Sequence, residues 1–369
     1  MREKVKIGSY KTTCLLMNMI LYKMILLYPR NAAEEAGNAG WIMTIVTSVY
    51  VFILFLIQKK LYDKFSGQDI LDIGEHAFGK TGKILTGLLF IANFLILVPI
   101  ILREFSEDIK VISLTTTPVS VIIFMFCIGM VIGAYIGIEA IARIHALAVP
   151  FLAITFILIL LLCVPKFDIN NLSPWLGLGP LEILKSSVFN LSNFSEFIVL
   201  YLITPFLKKK KEFNAIGRYS IIVCAFFMVI GTISYMLVFQ YPISIEFFLP
   251  IYQLARSIRF GRFFTRIEPA FILIWASSAF LFLSSGLYFI VYLFQRSFGL
   301  KYYKPLILPF TVNIFALSMI PENLYSTLQL QMITYRNFGW ILTFLLPILL
   351  FGIASIRNKS IKNKETIRQ

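Results

Sequence analysis

The sequence predicts an all-α integral membrane protein with ten transmembrane helices, forming a single domain over residues 1–369. Three observations predict it. Of the 369 residues 58% are hydrophobic, the mean hydropathy is +0.81 and only 14% are charged, against roughly 25% in a soluble chain. The apolar runs recur at about the ~20 residues that cross a bilayer. Lys and Arg crowd alternate loops, the bias that orients membrane proteins.

The runs fall at 12–29, 40–57, 84–102, 118–136, 142–164, 187–207, 219–240, 269–294, 305–321 and 339–356. The first, LLMNMILYKMILLYPR, carries Lys23 inside it. The third holds Asn93 and ends in REFSED, with Arg103 and Glu107 four residues apart. The fifth opens GIEAIARIHALAVPF, where Glu139 and Arg143 make an i,i+4 pair at the cytoplasmic mouth. Both pairs are candidate gates, although a plain helix pair is the simpler reading. The sixth has a polar centre. The eighth contains Ser277-Ser278, Ser284-Ser285-Gly286 and Tyr288; small and hydroxyl residues commonly pack membrane helices together, with Ser285 and Tyr288 as candidate lining residues.

One face carries Lys4, Lys6, Lys11, Lys59, Lys60, Lys64, Lys208 to Lys211, Arg296, Lys301, Lys304 and the basic residues of 357–369. The other has Arg30 beside Glu34 and Glu35, then Lys166 and Lys185. Residues 1–11 and the tail 357–369 are therefore expected in the cytoplasm, in keeping with ten crossings. The net charge of +15 reflects this bias and favours anionic lipids; no nucleic acid is implied. Arg256, Arg259, Arg262 and Arg266 break the rule. A helix from Ile251 to Phe264 would gather them on one face, as an amphipathic lid with solvated arginines or a docking face for an acidic partner.

Cys14, Cys127, Cys163 and Cys224 lie in separate apolar runs and read as small buried apolar residues, not disulfides. His76 and His145 are too separated for a metal site. No cofactor and no enzyme chemistry are expected, because no nucleophile–base–acid set or phosphate loop is visible. No cleavable signal is expected either: Met1 to Lys11 is basic, but the following run is long and lacks a small-residue cleavage site.

An ionisable group in a bilayer costs about 2.5–3.5 kcal/mol on insertion scales and defaults to a functional hypothesis. The helical neighbours of Lys23 are Met19, Ile20, Leu26 and Leu27, none a proton acceptor. A partner must come from another segment, or the helix must break there. The sixth run offers FNLSNFSEFIVLYL, with Asn190, Ser192, Asn193, Ser195 and Glu196 within seven residues. Asn and Ser compete for backbone hydrogen bonds, and unwound backbone at membrane depth is tolerated only beside a cavity. Two half-helices are expected to meet near Ser192 to Ser195. Runs one and six are equivalent if the chain is a five-plus-five inverted repeat, and paired breaks mark a midplane substrate site. Half-helix N-termini suit a carboxylate and freed carbonyls an ammonium, so a zwitterionic amino acid fits.

Four stretches carry a family resemblance. AYIGIEAIARIHALAVPF, ILREFSEDI, NLSNFSEFIVLYLITPFLKK and LYKMILLYPRNAAEEAGNAGW resemble, in order, the fifth-helix start, third-helix end, sixth-helix motif and first hairpin of the spore germination receptor B-subunit family. The family's sixth-helix Phe-Pro-Phe-Gly-Glu is altered here, with Asn193 and Ser195 for its Pro and Gly, while Glu196 is kept. Its small or Gly-containing first-helix break is replaced by Tyr22-Lys23-Met24. The resemblance, with amino acid–polyamine–organocation transporters behind it, implies a LeuT-like fold with interrupted helices 1 and 6. It implies a nutrient-sensing subunit in the spore inner membrane, binding an amino acid and partnered by A and C type receptor subunits. The alternative is a proton-coupled amino acid permease acting alone. Lys23 is expected at the first break, facing the cavity, where it replaces a coupling cation or takes a substrate ammonium's place, with Glu196 as counter-charge.

Overall fold

The computed structural model describes residues 6–209, 211–258 and 268–366. Lys4, Lys210, Arg259, Arg262, Arg266 and the last residues of the basic tail lie outside them. Helix α1 (Ser9–Ile25) ends where Leu26 turns to φ −77°, ψ −114°. The cause is Pro29. A proline lacks the N–H that would bond the carbonyl of residue i−4, here Ile25, and its ring clashes with that carbonyl. Four residues earlier than this proline the helix must stop, and four residues later it is free to continue. Pro29 therefore sits comfortably in the first turn of α2 (Tyr28–Ala36). The first break thus falls at Leu26–Leu27 and not at Tyr22-Lys23-Met24, which stay helical.

Gly37, at φ 59°, turns the chain sharply into α3 (Gly40–Tyr62). The segment α4 (Ile70–Ile112) is two helical stretches joined at Gly79 (φ 72°, ψ −161°), the first capped by the Asp69 carboxylate accepting from Asp72 N at 2.8 Å and packed back through Gly74 onto Gly82. It runs straight through REFSED, so that motif lies inside the helix and not at its end. Helices α5 (Val119–Ile136) and α6 (Ile138–Cys163) meet at Gly137, whose φ of 93° favours glycine.

The sixth apolar run comprises α7 (Pro180–Phe189), a 3₁₀ stretch Asn190–Ile198 and the short α8 (Val199–Ile203). Phe194 departs from helical angles at φ −109°, ψ 15°. The break is a tightening of the ladder, centred where the Asn and Ser side chains crowd. Then follow α9 (Glu212–Val238), α10 (Pro250–Ser257), α11 (Glu268–Phe298) and α12 (Ile307–Ser318). The last apolar run starts earlier than its hydropathy suggests. Helix α13 (Leu324–Leu330) passes through two π segments, Gln331–Arg336 and Ile341–Leu345, into α14 (Leu346–Thr366). Helix α10 stops at Ser257; Arg256 is exposed while Ile251, Leu254, Ala255 and Ile258 are buried.

Eight helical segments among the described residues are long and apolar enough to cross a membrane. Helix α1, at 17 residues, and Lys304–Ser318 are shorter. There is no strand among the described residues, only an isolated parallel bridge between Ile7 and Leu207 that ties the start of α1 to the end of the sixth run. Helix α1 lies at the centre, against α6, α9, α11 and the 3₁₀ stretch. Outward faces are apolar: on α6, Leu147 is 79% exposed and Phe151, Ile154, Leu158 and Leu161 are also exposed. A belt this large would aggregate in water and belongs in lipid. This is an integral membrane protein.

Candidate functional site

Lys23 is one turn before the first break and is 7% exposed. Its Nζ lies 2.6 Å from Glu196 Oε2 and donates also to the carbonyls of Ser192, at 3.3 Å, and Asn193, at 3.2 Å. An ammonium has three protons, and all three are used. The two carbonyls are available because the 3₁₀ stretch leaves them outside a regular α-ladder. The unwound sixth run thus supplies what the neighbours of Lys23 on its own helix could not.

Glu196, 1% exposed, is equally committed. Its Oε1 accepts from the hydroxyls of Tyr22, at 3.2 Å, and Tyr335, at 3.1 Å. The rings of Tyr22 and Tyr335 also lie 5.5 and 5.2 Å from Nζ, a cation–π arrangement that spreads the charge. Tyr335 belongs to the first π segment. A π turn shifts the register of the helix by inserting a residue and is frequent at functional sites. Here it brings a third element to the junction. Ser195 lies against both Tyr335 OH and Ser192 O and donates its single hydroxyl proton to one of them; Ser192 donates to Arg336 O at 2.6 Å; and Thr343, in the second π segment, donates to Ser195 O at 2.7 Å. Gly339 passes against Ser192 and Ser195, where an added Cβ would sit 3.4 to 3.5 Å from their hydroxyls.

Beside this junction opens a small cleft of about 40 Å³, bordered by Lys23, Asn31, Glu104, Asn193, Gln331 and Arg336 among others. Asn190 and Arg336 both engage Glu35 of α2, and Asn193 donates to Asn190 Oδ1 at 2.7 Å. Those contacts tie both breaks and the π segment together at one edge of the cleft.

The structure brings Tyr22, Lys23, Asn190, Ser192, Asn193, Ser195 and Glu196 together. It does not bring in Met24, Asn93, Ser285 or Tyr288. Met24, one residue beyond Lys23, is rotated about 100° round the helix and borders a separate apolar cleft with Phe156 and Phe227. Asn93 is eleven residues before Glu104, about 16 Å along α4. Ser285 bonds back to Leu281 O at 2.8 Å, and Tyr288 stacks with Tyr292. Arg103 and Glu107 pair at 2.7 Å, with Arg103 also reaching Glu322 O at 3.0 Å, so this pair fastens α4 to the loop after α12. Glu139 and Arg143 pair in the open, where such pairs contribute little. Glu104, Gln331, Tyr335, Arg336 and Thr343 were not visible as site residues in the sequence. The signal for Gln331, Tyr335 and Arg336 was a polar cluster, QMITYRN, one residue before a glycine at the head of an apolar run.

A bundle of membrane-length helices in which two broken segments share a buried ammonium–carboxylate pair and a polar cleft is a permease-like membrane protein. The chain belongs to the spore germination protein family, whose family model matches residues 6–327. It is 28% identical to spore germination protein YndE of Bacillus subtilis (strain 168), over 97% of this chain and 98% of that one. It is 25% identical to spore germination protein A2 of the same strain, over 96% and 97%. With GerQB of Bacillus cereus the identity is 24% over 86% and 87%. Among solved structures the fold is similar to Mhp1, a nucleobase-cation-symport-1 family transporter in a closed conformation with bromovinylhydantoin bound. The TM-score is 0.64 at 13% identity, covering 96% of this chain and 91% of that one.

Proposed function

We propose that this chain is the nutrient-sensing subunit of a spore germinant receptor, binding an amino acid in the cleft between the broken first and sixth helices. On this reading the bundle is a five-plus-five inverted repeat with ten crossings, counting α1 and α12 as short spans. Both termini face the cytoplasm, the anionic leaflet attracts the basic loops, and the membrane is the spore inner membrane. A and C type receptor subunits are the partners. The observation that carries the reading is the Lys23–Glu196 pair. It bolts the two broken helices to each other with no unused proton or carboxylate oxygen. A junction closed in this way suits a switch that rearranges when the cleft fills, more than a pathway that must open to both sides on each cycle. A ligand shifts such an equilibrium only by its differential affinity for the two arrangements.

The test has two arms. Spores lacking this chain should lose their response to one class of amino acid and regain it on complementation. The purified chain in proteoliposomes should take up none of that amino acid, with or without a proton gradient. Gradient-dependent uptake by the chain alone would replace this reading with that of an amino acid permease.

A further inference from the structure

We propose that Glu104, with Asn31, is the subsite that takes an ammonium group of the cleft's occupant. The inference rests on reading the cleft as a ligand site and names the chemistry it selects. Three charged side chains border the cleft: Lys23, Arg336 and Glu104. Lys23 has spent all three protons on Glu196 and two carbonyls. Arg336 is paired with Glu35. Glu104 is the remaining one, and it is 1% exposed. Its Oε2 accepts a long 3.3 Å hydrogen bond from Gln331, and no protein donor reaches the buried Oε1. The adjacent Arg103 gives no help, because its guanidinium is turned to Glu107 and to the carbonyls of Ser318 and Glu322. Asp108, one helical turn on, is buried as well.

A second acceptor is open on the same cleft. Asn31, at the start of α2 just after the first break, borders it, and its buried Oδ1 has no donor among the protein groups. Buried polar atoms are nearly always partnered, and leaving an acceptor oxygen without a donor is costly. Two such acceptors on different elements facing one cleft define a preference. The occupant must bring N–H donors and positive charge, and it must bring several donors, which a primary ammonium does. Because Asn31 rides on α2 and Glu104 on α4, an ammonium held by both would draw the outer half of the first helix toward α4.

The test uses the full chain purified in detergent and follows its thermal unfolding with methylammonium chloride, sodium chloride or choline chloride at matched ionic strength. Methylammonium a few-fold above its Kd should raise Tm by about 1 °C. Sodium, which lacks N–H groups, and choline, whose nitrogen carries none, should not. Glu104→Gln, which keeps the shape, should abolish the shift, Asn31→Ala should weaken it, and the surface variant Glu139→Gln should keep it. An equal shift with sodium, an undiminished shift in folded Glu104→Gln and Asn31→Ala proteins, or no shift in the unaltered chain would each overturn the proposal. None of these readouts depends on spore response or uptake, so the sensing reading stands or fails separately.

Discussion

Lys23 of α1 and Glu196 of the 3₁₀ stretch meet at 2.6 Å, charge to charge, with both side chains nearly sealed from solvent. Each is satisfied only because the other is there. Removing one partner of a buried pair costs about 3–5 kcal/mol, since the survivor stays buried and unpaired, whereas replacing both is often close to neutral.

Lys23→Met should therefore lower the thermal stability and membrane abundance of the protein strongly, leaving Glu196 with only the two tyrosine hydroxyls. Glu196→Gln should also be harmful. The double variant should recover much of the loss. Folding and abundance are read by thermal unfolding in detergent and by immunoblot of membranes. A Lys23→Met protein as stable and abundant as the parent would show that the pair contributes nothing.

Ser195 tests the junction from the other side. It is fully buried and touches Tyr335 and Ser192 O. Ser195→Leu forces extra carbons into a closed space, typically about 1–3 kcal/mol, and separates the π segment from the break. The nutrient response should be lost while membrane insertion is kept. Thr343→Val, which removes only the hydrogen bond to Ser195 O, should cost about 1 kcal/mol. A normal response from the leucine variant would remove the break from the signalling path.

Topology gives the third expectation. In a background without the four native cysteines, all buried, Lys209→Cys should resist an impermeant thiol reagent added outside, and Arg256→Cys should react. The readout is labelling of intact protoplasts before and after permeabilisation. Labelling of Lys209→Cys from outside would invert the orientation.

The membrane class, the helical runs and the anomaly of Lys23 were legible because hydropathy and an isolated ammonium are local properties. Glu196 was legible for the same reason. The position of the first break was not. The eye goes to the charge, but the backbone obeys Pro29, whose disruption lands four residues upstream at Ile25. Glu104 was hidden by its neighbours: in REFSED an acid beside Arg103 reads as a helix-end ion pair, and only the three-dimensional turn of Arg103 toward Glu107 leaves Glu104 over. Tyr335 and Arg336 were hidden because a polar stretch before an apolar run reads as loop. Their inward direction depends on π turns that no propensity scale encodes.

Helix α4 joins two places that the fold otherwise keeps apart. Glu104 lies near one end. Beyond the Gly79 turn Asp69, fully buried, accepts from Arg296 Nη2 at 3.0 Å and from Tyr292 at 3.1 Å, and Asp72 takes a further bond from Arg296 at 2.8 Å. From Gly79 to Glu104 there are twenty-five residues without another non-helical angle, with Pro99 removing one ladder hydrogen bond on the way, a helix of about 37 Å, longer than the ~30 Å hydrocarbon core. The consequence is mechanical. A rod this long turns a small tilt at one end into a larger sweep at the other: five degrees over its length is about 3 Å, comparable to the reach of the Arg296 hydrogen bonds. A tilt at Glu104 thus sweeps the Gly79 turn, and the segment carrying Asp69 and Asp72 follows only through that turn and its packing on Gly82.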